Sequence, residues 1–125
     1  MTLFNTIIAV FILSLCCSIS MNKTLGPKII TDDIPMQWGL DGKPTWKAPR
    51  IIGLWIFPFC QFFIGLILIS SAYYAGDIIT LLSAPVMLIF FLGVQRWHLK
   101  KVIRWSREQN EDLYDNEDLY DADEE

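Results

Sequence analysis

Charge is what this sequence lacks over most of its length. No Asp, Glu, Lys or Arg occurs from Thr2 to Ser20, from Ile51 to Gly76 or from Ile78 to Gln95. Uncharged runs of this length exclude ordinary soluble helices, which need a polar face toward water, and mark each run as a candidate membrane span. Histidine is nearly absent too. The single His98 lies among Arg96, Lys100 and Lys101 with no second ligand type nearby, so an interfacial side chain is expected there and not a metal ligand. The three cysteines, Cys16, Cys17 and Cys60, have neither CxxC nor Cys/His spacing and read as free thiols buried in lipid. Ser/His/Asp sets, Gly-rich phosphate loops and paired intramembrane carboxylates are all missing. These absences assign no catalytic residue, no metal ligand and no cofactor, and they argue against an enzyme. The lack of an ionisable group at mid-span also argues against a transporter acting as a monomer.

What is present is strongly divided along the chain. Ten of the fourteen acidic residues lie between Glu108 and Glu125, where no Lys or Arg occurs. The remaining 1–107 carry ten basic against four acidic groups, a net of +6. The overall charge of -4 therefore describes a tail, and it gives no reason to infer a nucleic-acid partner. The basic excess near the apolar runs reads as membrane topology or lipid contact.

The first run, Leu3 to Ile19, is long enough to span when its polar ends are counted. A cleaved signal peptide is the rival reading, because Ser18, Ile19 and Ser20 form a small-x-small site. MTLFN supplies no Lys or Arg for a positive n-region, so a retained helix is expected. The second run, Ile51 to Tyr74, contains Pro58, which withdraws the N–H that would pair with the carbonyl of Leu54. Gln61 is expected to hydrogen-bond another helix. The third run, Ile78 to Val94, begins after only Ala75, Gly76 and Asp77, which forces a tight antiparallel hairpin with a turn-capping Asp77. Equal depth in that hairpin pairs Gly65 with Met87 and Ala72 with Thr80, small residues facing larger ones.

Residues 21–50 combine Gly26, Pro27, Pro35, Gly39, Gly42, Pro44 and Pro49 with eight charged side chains, a density of turn formers that excludes a regular helix. Ile29, Ile30, Ile34, Met36, Trp38, Leu40 and Trp46 make it too apolar for a disordered linker. An ordered loop at headgroup depth is expected, anchored by Trp38 and Trp46, with Gly39 or Gly42 supplying a positive φ beside Asp41. After the third run, residues 96–107 interleave five basic with five apolar side chains as a basic amphipathic extension at the membrane surface. The tail 108–125 repeats EDLYD twice and, being self-repelling, reads as disordered.

The expected architecture is thus an all-α integral membrane protein. A membrane domain over 1–107 has spans at about 3–20, 51–74 and 78–95, the last two forming the tight hairpin, and 108–125 is an acidic tail. All ten basic residues fall in the first loop or after the third helix, so the positive-inside rule puts the N-terminus outside and the loop and C-terminus in the cytoplasm.

Within the loop, DDIPMQWGLDGKPTWKAPR places Ile34 and Pro35 as a pair, then Trp38, then Gly42 and Pro44 closing a turn, between two apolar runs. This pattern resembles the hallmark of a bacterial and archaeal membrane domain of unknown function that forms the start of SdpI-type toxin-immunity proteins. The resemblance covers roughly residues 1–74 and implies a membrane role in toxin immunity or stress sensing. Proteins of that type carry further C-terminal helices where this sequence has its acidic tail. The residues alone favour a non-enzymatic membrane protein that works by interaction. The bilayer is one partner, and a membrane-protein partner or a second copy is the other. Tyr114 and Tyr120, each following Leu, are the candidate anchors for a tail-bound partner. A pore-forming oligomer is the third reading.

Overall fold

The computed structural model of the chain describes residues 3–76 and 78–122, with side chains for 4–76, 78, 79 and 81–115. Three helices dominate: α1 (Leu3–Leu25), α2 (Arg50–Ala75) and α3 (Ile78–Ala122). Between α1 and α2 lie a 3-10 turn, Gly26–Lys28, and two strands, β1 (Asp33–Trp38) and β2 (Pro44–Pro49). Among the described residues, three segments are long and apolar enough to cross a membrane: Phe4–Lys28, Arg50–Ala75 and Leu81–Asp115.

The burial pattern is that of a bundle built for lipid. Large apolar side chains point outward, among them Trp55, Phe59 and Ile67 on α2 and Leu82, Ile89 and Phe90 on α3. The interior of the bundle holds Ile7, Phe11 and Leu88 together with many small or polar groups, including Ser14, Ser18, Asn22, Gln61, Gly65, Ala84 and Gln95. In water this inversion would be costly, whereas in hydrocarbon outward apolar faces cost nothing and helices associate through small residues and polar bonds. The chain is a multi-pass membrane protein.

Several sequence expectations change here. α1 runs past residue 20, because the first helix breakers are Gly26 and Pro27, and Met21 to Leu25 remain helical. The ordered loop is a β-hairpin. β1 and β2 pair antiparallel from Asp33 opposite Pro49 to Trp38 opposite Pro44, with irregularities near Gln37. Gly39 N donates to Lys43 O at 2.8 Å and Gly42 N to Gly39 O at 3.0 Å. Gly42 supplies the positive φ, 78°, that closes a short loop of this kind. Gly39 has none of that role. The prolines at 35, 44 and 49 cannot donate to a ladder, which suits them to a ribbon with two edges and blunts its pairing with other chains.

The hairpin seats on α3, and this relocates two further expectations. Ile29 and Ile34 form a core with Leu99, Val102 and Ile103, with Met21, Leu25, Met36, Trp38 and Leu54 packed around it. Leu99, Val102 and Ile103 of 96–107 are therefore covered by protein, while Trp97 stays 60% exposed. His98, expected at the interface, is buried and lies 5.2 Å from Phe57 between ring centroids, with the rings tilted at 45°. It occupies the same helix face as Leu99 and Val102, toward the bundle.

Gly65 makes its close approach to α1. A Cβ there would collide with the ring of Phe11, while Met87 is 49% exposed and Thr80's side chain lies outside the described ones. Gly65 thus packs on the first helix, because three helices, and not two, share the seam, and the Ala72 and Thr80 pairing falls on a side chain outside the described ones. Asp77 lies outside the described residues. Residues 108–122, expected to be disordered, continue α3 as helix to Ala122. No Gly or Pro follows Gly93, and a helix already nucleated extends at little cost. At ~1.5 Å per residue the 45 residues of α3 extend about 68 Å, far beyond a hydrocarbon core of ~30 Å.

Candidate functional site

The polar seam inside the bundle is built by spacing. Ser14, Ser18 and Asn22 recur on one stripe of α1, which also carries Ile7 and Phe11, and all five are buried. Gln95 of α3 meets that stripe with both ends of its amide. Ser18 Oγ donates to Gln95 Oε1 at 2.6 Å, while Gln95 Nε2 donates to Asn22 Oδ1 at 3.0 Å and to Ser18 O at 3.2 Å. Asn22 Nδ2 in turn donates to Leu54 O, the carbonyl orphaned by Pro58. One turn outward, Gln61 Nε2 donates to Ser14 Oγ at 2.9 Å, and Ser14 Oγ donates to Phe11 O. Gln61 does bond another helix.

This network contains no titratable group, so its chemistry is that of orientation. It fixes the rotation of three helices about one another where outward packing is only lipid. Two buried atoms beside it, Gln61 Oε1 and His98 Nε2, have no hydrogen-bond partner among the described residues.

The second constellation is the hairpin head. Ile34, Pro35, Trp38, Gly42 and Pro44 all belong to it, so the structure gathers the five motif positions in one unit. Ile34 is fully buried at the base, against α2 at Gly53, where any Cβ would collide with it. Pro35 is buried beside it, and Trp38 is half-buried. Lys101 Nζ lies 4.4 Å from the Trp38 ring centroid and 5.2 Å from that of Trp97, and Lys47 Nζ lies 5.0 Å from Trp105. Trp46, expected to be an anchor equal to Trp38, is 57% exposed. Arg50 closes the base of the head. Its guanidinium donates to Ile29 O at 2.5 Å and Gly26 O at 2.6 Å, and its backbone N to Asp32 O at 2.9 Å.

Two grooves flank this head. One, of about 350 Å³, lies between the foot of the hairpin (Thr31, Asp33, Lys47) and α3 (Trp105, Asn110, Leu113). The other, of about 400 Å³, lies between α1 and α3 beneath Arg96 and Lys100. Beyond the head α3 projects as an acidic arm on which Leu113 and Tyr114 stand 64% and 63% exposed. Tyr114 is far in sequence from the hairpin motif and does not line either groove. The side chain of Tyr120 lies outside the described ones.

Sequence reasoning singled out Gln61 and the motif positions but missed Ser14, Ser18, Asn22, Gln95 and Arg50. The signal was available: three polar residues at 14, 18 and 22 sit one helical turn apart in an apolar run. The amide donors at 61 and 95 are the side chains long enough to reach them. Comparison of the chain with protein-family models, with curated proteins and with solved structures finds no match in any of the three.

Proposed function

We propose that this is a non-enzymatic, three-span membrane protein that works by presenting a fixed interfacial head and an acidic helical arm to a protein partner. The N-terminus faces outward, the hairpin and arm face the cytoplasm, and α2 and α3 form a tight antiparallel transmembrane pair. The observation that carries this reading is the exposure of Leu113 and Tyr114 on the acidic stretch of α3 beyond Arg107, beside a groove that Leu113 itself lines. Exposed aromatic and aliphatic side chains at the edge of a groove are the usual anchors of an interface, and the acidic surround favours a basic partner surface. The seam fits the reading as well, since its hydrogen bonds hold the three helices in one arrangement beneath the head.

The test is photo-crosslinking in intact cells from an unnatural residue at 113 or 114. One discrete protein adduct from both positions, and none from the equally exposed Phe90, is the expected outcome. An adduct of twice the chain mass makes the partner a second copy. Lipid adducts alone at 113 and 114 would contradict the proposal.

A second reading is favoured by the motif. The five positions that resemble the SdpI-type hallmark fall in a single hairpin with a shared core, which suits a recognition element for a toxin or stress signal. Cells lacking the protein would then be sensitised to a membrane-active toxin, with sensitivity restored by the wild-type chain and not by a Trp38→Ala variant. Unchanged sensitivity in the deletion strain would count against it.

A further inference from the structure

We propose that the groove between α1 and α3 is a binding site for an anionic phospholipid, with its phosphate on Arg96 and Lys100 and an acyl chain along Cys16, Met21 and Leu25. The proposal rests on the helices spanning the bilayer and is independent of what the arm binds.

The geometry combines two chemistries in one concavity. The α1 wall is apolar at Met21 and Leu25 and soft at Cys16, while Ser20 adds a hydroxyl near the cationic side. Across it stand Arg96 and Lys100, one turn apart on α3 and both exposed. The volume, about 400 Å³, falls within the ~300–1,000 Å³ range of small-molecule sites. Depth is set by the seam. Ser18 and Asn22 bond Gln95, so Arg96 lies level with the middle of the groove and Lys100 nearer the end of α1.

That arrangement matches a lipid and not a soluble anion. Ile12 and Leu13, one turn before the Cys16 and Cys17 that line the groove, and Trp97, next to Arg96, are exposed apolar side chains. A headgroup phosphate at the height of Lys100 leaves its chain running toward Cys16, along the direction lipids already take. The cations are not absorbed elsewhere in the head: Lys101, Lys47 and Arg50 make its cation–π and carbonyl contacts, whereas Arg96 and Lys100 face the groove. Arg104 and Arg107 continue the same stripe of α3 toward the surface, where Glu108 and Glu111 share their recess and confine the uncompensated positive charge to the Arg96 and Lys100 end. Basic recesses between spans at the membrane edge are favourable places for anionic headgroups, each Lys or Arg adding about a fivefold preference at the surface.

The test uses the full chain in lipid nanodiscs, comparing phosphatidylcholine alone with discs containing phosphatidylglycerol, followed by native mass spectrometry. One phosphatidylglycerol is expected to remain on the protein where phosphatidylcholine is lost. The variant Arg96→Gln/Lys100→Gln should weaken retention by about thirtyfold. Removing the same charge elsewhere, in Lys28→Gln/Lys43→Gln, should change it by less than about threefold, since screening limits distant charges. Glycerol phosphate, which has the headgroup chemistry without chains, should not displace the lipid. Equal retention of the two lipids, equal losses in the two charge variants, or displacement by glycerol phosphate would each overturn the proposal.

Discussion

The side-chain amide of Asn22 donates a hydrogen bond to the backbone carbonyl of Leu54, the acceptor that Pro58 leaves without its N–H four residues on. A break in one helix is thereby repaired by a residue of another. Because Asn22 also accepts from Gln95, the same side chain links all three helices.

Replacing Asn22 by Ala should destabilise the protein by about 1–3 kcal/mol, the cost of a buried polar group left unpaired. In a Pro58→Ala background the helix regains its own donor for Leu54. The cost of Asn22→Ala should then fall to roughly 0.6 kcal/mol, that of losing the Gln95 contact alone. Detergent-unfolding curves for the four proteins of this cycle check the coupling, and equal costs in both backgrounds would contradict it.

Gly65 and Phe11 form the complementary apolar contact. Gly65→Ala should cost about 1–3 kcal/mol, because the added methyl meets the ring in a seam already filled. In a Phe11→Ala background the same change should cost less than about 0.5 kcal/mol, since the space it needs is then open. Unfolding measurements on the pair test this directly. A penalty that persists without the ring would place the conflict with the helix backbone instead.

The head is tied to α3 partly by Lys101 over Trp38. A double-mutant cycle of Lys101→Met and Trp38→Leu should give a coupling of about 0.5–1 kcal/mol, the range for a cation–π pair with some solvent access. Lys101→Arg should keep most of it. A coupling near zero would mean that the head is held by the Ile34 and Leu99 core and the Lys47 contact with Trp105, without help from Lys101.

The spans were legible in the sequence because an uncharged run of a bilayer's length has no polar face to turn toward water, and the positions near 3–20, 51–74 and 78–95 all lie within the observed helices or their immediate ends. The hairpin was legible only as an ordered turn-rich loop. Pro35, Pro44 and Pro49 argue against strands on any local count, and it is the two-edged ribbon seated on Ile34 that accommodates them. Inter-helix partners were less accessible still. Gly65 faces Phe11 because α1 joins the seam between α2 and α3, a three-body arrangement that depth-matching of two consecutive helices cannot anticipate. The burial of His98 follows from the same cause: whether a residue of 96–107 faces lipid or protein depends on where the hairpin docks. Continuity of α3 into the acidic segment reflects cooperativity with the preceding helix, which composition of the segment alone does not carry.

The proposed arrangement is a three-span protein whose hairpin head and acidic arm share the cytoplasmic side. It is tested most directly by single cysteines at Asp41 and Leu113, in a chain with Cys16, Cys17 and Cys60 replaced by Ser, probed with a membrane-impermeant maleimide. Both should stay unlabelled in intact cells and react fully after permeabilisation, while a tag before Met1 is accessible from outside. Labelling of either position in intact cells, or of one without the other, would contradict the account.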